Sequence, residues 1–119
     1  MRIYVLDDEP IELATREIAI NRHYPTWECA IFFTYDDLLK AIEEKEPDCC
    51  VIDLIMPYHP GTEVCEEVRK KHPNIKTFIN TYECGEEYKI LAEACSAIYL
   101  SKTMPFEDRL EVILDACKS

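Results

Sequence analysis

Cys49-Cys50-Val51-Ile52-Asp53 is four apolar residues closed by a carboxylate. An unbroken apolar run of this length, with no polar alternation, is the pattern of a strand covered on both faces. The same kind of run recurs at 3–6, 29–33, 77–79 and 97–100. Between these runs the apolar period changes to that of a helix. Ile11, Ala14 and Ile18 fall on one helical face, as do Leu38 and Ile42, and then Gly61, Val64, Cys65 and Val68. Leu91, Ala94 and Cys95 make a fourth stripe, and Phe106, Leu110, Ile113, Leu114 and Cys117 a fifth. Pro10 and Pro105 suit first helical turns, while Pro47 and Pro73 close helices two and three. Five βα units in series predict an α/β fold, a mostly parallel five-stranded sheet with helices on both faces.

The chain has 119 residues, enough for one domain with a real core and not for a second, so residues 1–119 are expected to form a single domain. No apolar run nears the ~20 residues of a membrane helix. The opening run is too short and too soon acidic for a signal peptide, so a cytoplasmic location is expected. Seven cysteines, an odd number with no Cys-x-x-Cys pair, offer no zinc or redox spacing and are expected to act as small buried hydrophobes. A net charge of −11 argues against direct nucleic-acid contact, which needs positive charge to displace counterions.

Parallel strands finish on one side of a sheet, and ligands bind beyond those carboxyl ends. Here the first strand runs into Asp7-Asp8-Glu9, the third into Asp53 and the fifth into Ser101-Lys102. Carboxylates so gathered repel by ~3 kcal/mol per pair at ~5 Å and an effective dielectric of ~20. A divalent ion with oxygen ligands would offset this, and Mg²⁺ characteristically uses one or two carboxylates plus phosphate and water. Lys102 adds a point charge for a phosphate oxygen. An aspartate beside such cations can accept a phosphoryl group.

With these residues in place, the chain resembles the response-regulator receiver domains of bacterial two-component systems over essentially its whole length. The resemblance rests on Asp7-Asp8-Glu9-Pro10, Asp53-Leu54-Ile55-Met56-Pro57 followed by Gly61, Asn80-Thr81-Tyr82-Glu83, and Tyr99-Leu100-Ser101-Lys102. It implies a doubly wound, flavodoxin-like receiver fold with strand order 2-1-3-4-5. It implies Asp53 as phosphoacceptor, Mg²⁺ held by Asp8 directly, by Asp7 through water and by the Ile55 carbonyl, and Lys102 paired with the phosphoryl group. Tyr99 matches the family's aromatic switch. The implied function is regulatory rather than enzymatic, with self-catalysed phosphotransfer and autodephosphorylation only. A sensor histidine kinase would phosphorylate Asp53, and the strand-4, strand-5 and helix-4 face would then control an output domain or downstream protein. Phosphorylation-dependent homodimers belong to the same picture, with no membrane or direct nucleic-acid contact by the domain itself. A chain closing just after the fifth helix fits either a stand-alone receiver or one separated from its output domain.

Three departures from the family pattern stand out. The family's strand-four hydroxyl lies twenty-two residues before the lysine, and that count lands on Asn80, with Thr81 in the small-residue slot. A shift by one would give Thr81 the hydroxyl role, and the first register is preferred because Tyr82-Glu83 then matches the pair that usually follows. Thr103-Met104-Pro105 follows the lysine, so the family's frequent cis Lys-Pro bond cannot form. Tyr58-His59-Pro60 replaces small and acidic residues after Asp53, and His59 is expected in an exposed loop. By the same resemblance, Ile55 and Tyr82 border the path of a hydrolytic water, and neither offers a group to hold it.

Two other functions share these residues. A pseudo-receiver would use the fold for binding alone; Asn80 favours it and the intact Asp7, Asp8, Asp53 and Lys102 oppose it. A Mg²⁺-dependent aspartyl phosphohydrolase would place Asp-x-Asp on strand one, where this chain has adjacent aspartates. A flavodoxin-like electron carrier is excluded, since Asp-Asp-Glu-Pro would repel a phosphate after strand one.

Overall fold

Each apolar run forms a strand: β1 Arg2–Leu6, β2 Glu28–Phe32, β3 Cys49–Asp53, β4 Lys76–Thr81 and β5 Ile98–Ser101. Helices α1 Pro10–His23, α2 Tyr35–Glu44, α3 Gly61–Lys71, α4 Glu86–Ala94 and α5 Phe106–Lys118 alternate with them. The structure, a computed structural model, describes residues 1–118. All strand pairs are parallel, in the order β2-β1-β3-β4-β5. The expected doubly wound, five-stranded fold is therefore the observed one.

Alternation along the strands divides the core in two. Ile3, Val5, Cys49, Val51, Phe78 and Leu100 meet Leu13 and Ile20 of α1 and Leu110 and Ile113 of α5. Leu6, Cys50, Ile52 and Ile79 point the other way, onto Leu38 and Ile42 of α2, Val64, Cys65 and Val68 of α3, and Ala92 of α4. Local signals agree with this packing. Pro10 opens α1, and the Thr34 hydroxyl caps α2 by accepting from the Asp37 N–H at 3.2 Å.

Two helices turn differently from the expected faces. Ile11, Ala14 and Ile18 of α1 are exposed, and Leu13, Arg16 and Ile20 are buried instead. Both stripes obey the helical period, but they lie on opposite sides because two residues of helix turn ~200°. The side carrying Arg16 goes inward because Arg16 has a buried partner, Asp7. In α4, Leu91 and Ala94 are exposed while Ala92 and Cys95 pack inward. Small side chains let that helix lie close, and Ser96, at φ 60°, turns the chain back into β5.

Cys49, Cys50, Cys65 and Cys95 are buried, as small hydrophobes should be, and burial pushes the Cys29 thiol up to about 12. Cys84 is exposed. The fold does bring sulfurs near one another where spacing gave no sign of it: Cys65 and Cys95 interact, as do Cys49 and Cys117. Neither pair belongs to a cluster of three or more metal-binding side chains among the described residues. No helix among the described residues is long and apolar enough to cross a membrane.

Candidate functional site

The carboxyl ends of β1, β3 and β5 bring the expected charges together. Asp7 is fully buried: Oδ1 accepts the Glu9 N–H at 3.0 Å, and Oδ2 accepts from Arg16 at 2.6 Å and from Lys102 Nζ at 3.2 Å. Asp53 is 7% exposed and lies 3.0 Å from Lys102 Nζ through Oδ1. Asp8 is exposed at the rim. One carboxylate oxygen from each of Asp7, Asp8 and Asp53 lies within 4.8 Å of the others. Lys102 is held at its base by its own N–H to the Thr81 carbonyl, 2.7 Å.

Electrostatics separates the two buried aspartates. Burial, then repulsion from Asp7, pushes the Asp53 carboxyl from its ordinary 3.8 up to about 6 against the pull of Lys102. Burial also works to raise Asp7, but the Glu9 N–H, Lys102 and Arg16 together hold it below its ordinary value. Burial opposes the charge on Lys102, yet its bond to Asp53 leads a set of contacts that hold the ammonium above its ordinary value.

Above these groups opens a cavity of about 360 Å³, walled by Asp8, Glu12, Asp53, Ile55, Thr81, Tyr82 and Lys102 among others. Ile55 is largely exposed at its mouth. At the end of β4 the two candidate residues, Asn80 and Thr81, face different ways. Asn80 pairs with Asp53 in the sheet but its side chain turns toward α5, where Oδ1 accepts from Arg109 at 2.8 Å. The Asn80 amide nitrogen has no hydrogen-bond partner among the described residues. Thr81, one step along, lies on the cavity wall with its Oγ1 accepting the Glu83 N–H at 3.1 Å. Period-two alternation allows only one of the two neighbours to face that side. Tyr99 is half-buried against the α2–α4 core and donates its hydroxyl to the Glu83 carbonyl at 2.7 Å.

Gly61 is needed for close approach rather than for an unusual turn. A Cβ there would lie 2.3 Å from the Asp53 carbonyl oxygen, and the Gly61 N–H donates to the Leu54 carbonyl at 2.8 Å. His59 stands exposed as expected, edge-on to the Tyr35 ring and 3.7 Å from Glu63.

Sequence reasoning missed Arg16, Glu12 and Arg109. Glu12 Oε2 accepts from both Arg16 at 2.9 Å and Lys102 at 3.0 Å, and its Oε1 accepts the Tyr82 hydroxyl at 3.2 Å. The Tyr82 ring lies 5.3 Å from Lys102 Nζ. One signal was there to read: Arg16 stands at helical spacing between Leu13 and Ile20, a charge inside an apolar stripe.

A sheet of this order with this constellation at its carboxyl edge has close counterparts. The family model of the response regulator receiver domain matches residues 3–114. The chain belongs to this family. Receiver domains are regulatory signalling domains of two-component response regulators. Among solved structures, the receiver domain is similar to a LuxR-family DNA-binding response regulator from Staphylococcus aureus, with 29% identity and TM-score 0.87 over 98% of each chain. It is also similar to the response regulator TrrA from Thermotoga maritima in complex with Mg²⁺-BeF, with 26% identity and TM-score 0.76 over 96% of each chain. A CheY-like receiver domain from Methanospirillum hungatei shares the fold at 24% identity and TM-score 0.86, over 98% of this chain and 93% of that one.

Proposed function

We propose that this receiver domain takes a phosphoryl group onto Asp53 from the phosphohistidine of a sensor histidine kinase, in a Mg²⁺-dependent transfer. The observation that carries the reading is Lys102 Nζ 3.0 Å from Asp53 where three carboxylates gather within 4.8 Å. An Asp53 oxygen attacks phosphorus, the P–N bond breaks, and histidine leaves. Lys102 pairs with a phosphoryl oxygen, and the Thr81 hydroxyl, placed on the cavity wall, donates to another.

The three carboxylates are hard oxygen donors, the chemistry that suits Mg²⁺, and with the Ile55 carbonyl they would hold it. When bound, the ion supplies positive charge against the phosphoryl oxygens. The TrrA structure in complex with Mg²⁺-BeF supports that pairing of ligands.

The output surface is the face of β4, β5 and α4, where Tyr99 reaches the Glu83 carbonyl and Ile90 and Leu91 stand exposed. Phosphorylation shifts that face between two arrangements and so governs an output domain, a downstream protein or pairing with a second copy. The domain acts in the cytoplasm, where such kinases present their phosphohistidine.

Incubation with acetyl phosphate and Mg²⁺, followed by intact-mass measurement, tests the reading. The wild-type chain gains one phosphoryl group, and Asp53→Asn gains none. An adduct that survives the substitution, or forms as well in chelator, would refute it.

A further inference from the structure

Gathered carboxylates ordinarily depend on a metal ion for charge balance. Here the chain supplies the balance itself. Arg16, 5% exposed in the middle of α1, bonds Asp7 at 2.6 Å and Glu12 at 2.9 Å. Lys102 reaches Asp7, Glu12 and Asp53 at 3.0–3.2 Å. Arg109, also buried, lies near enough to Arg16 for the two like charges to feel each other. Two cations, Arg16 and Lys102, therefore bond Asp7, Asp53 and Glu12, and Asp8 alone among the clustered carboxylates is left to solvent.

We infer that Arg16 is a positioning residue that serves as a built-in counter-ion, holding the Asp7 carboxylate and keeping the site's affinity for a divalent cation low. The inference rests on the proposed metal-assisted phosphotransfer, and it deepens that reading by naming what regulates the metal. Both Asp7 oxygens already accept hydrogen bonds, so an arriving ion competes with a guanidinium rather than finding a bare carboxylate. It also meets the repulsion of a fixed positive charge. At ~6 Å and an effective dielectric of ~20, a unit charge against a divalent ion is worth well over tenfold in binding.

The test is calorimetric titration of Mg²⁺ into the metal-free chain with no phosphodonor present, for wild type, Arg16→Gln and Arg16→Lys. Arg16→Gln keeps a hydrogen-bond donor toward Asp7 without the charge and is expected to bind Mg²⁺ about tenfold more tightly or better. Arg16→Lys, with the charge restored, is expected near the wild-type affinity. In chelator Arg16→Gln melts below wild type, and excess Mg²⁺ narrows the gap. A merely structural role for Arg16 would loosen the site and weaken Mg²⁺ binding in both variants. Equal or weaker binding by Arg16→Gln overturns the inference, as does tighter binding by Arg16→Lys to the same degree. Because no phosphoryl group takes part, this failure is separate from failure of Asp53 to accept one.

Discussion

Asp53 is nearly buried beside two other carboxylates, and in the metal-free protein it gives up its proton only near pH 6. The folded chain holds that proton more tightly than the unfolded chain, which releases it near the ordinary 3.8. Protonation of Asp53 therefore stabilises the fold at low pH, and that stability is lost as pH rises from about 4 through about 6. At most about 3 kcal/mol separates the two ends of the window. Asp53→Asn removes the ionised form altogether. In chelator it is expected to melt above wild type at about pH 7.5, with the gap closing as pH falls to about 4. Melting curves across that range decide it, and a gap that ignores pH would count against the shifted carboxyl. Asp7, Asp8, Asp53 and Lys102 were legible because a charge at the end of an apolar strand has few places to go. Glu12 was not, because a charge within a helix is ordinarily solvated surface, and Arg16 showed itself only as a charge inside an apolar stripe.

At the level of elements, β4 sets which residues meet the cavity. Its alternation puts Thr81 on the cavity wall and Asn80 against Arg109 of α5. On the proposed function, the Thr81 hydroxyl is the group that senses the phosphoryl oxygens, and Tyr99 lies on the same side of the sheet. A hydrogen bond to a charged group is worth roughly 1.5–3 kcal/mol, enough to shift a two-state balance about tenfold or more. Thr81→Ala should therefore weaken the response of the Tyr99 resonances to fluoroberyllate. Asn80→Ala should leave that response intact and instead lower stability by roughly 1–3 kcal/mol, since it strips a buried guanidinium of a partner. If Asn80→Ala alone uncouples Tyr99, Thr81 is not the sensor. Strands were legible because continuous apolar runs tolerate little else, and their order followed from the resemblance to receiver domains alone. Helix faces were less so, because α1 carries two apolar stripes and only tertiary contact selects one.

Over the whole molecule, segments far apart in the chain close around one opening. Ile55 follows β3, Tyr82 follows β4, and Glu12 of α1 ties itself to Tyr82 across seventy residues of sequence. The resemblance to receiver domains puts Tyr82 at the hydrolytic approach when Asn80 holds the strand-four position. The fold puts its ring over Lys102, at 5.3 Å. Slow hydrolysis of the Asp53 phosphate is the expected consequence, since neither Ile55 nor Tyr82 orients a water and both restrict its entry. Ile55→Asn and Tyr82→Glu, followed by loss of the phosphoryl mass in excess Mg²⁺, should shed phosphate about tenfold faster, singly or together. Rates equal to wild type in both variants and the pair would end the shielding idea. The divided core carries one more consequence. Asp53 continues the side of the sheet that faces α1 and α5, whereas Thr81 and Tyr99 belong to the side facing α4. On the proposed function, a phosphoryl group on Asp53 would be felt by Thr81 round the rim, where the strands end, rather than through the sheet. Damaged versions of this protein should accordingly come in two kinds, the deaf, injured on the first side and unable to receive, and the mute, injured on the second and unable to tell.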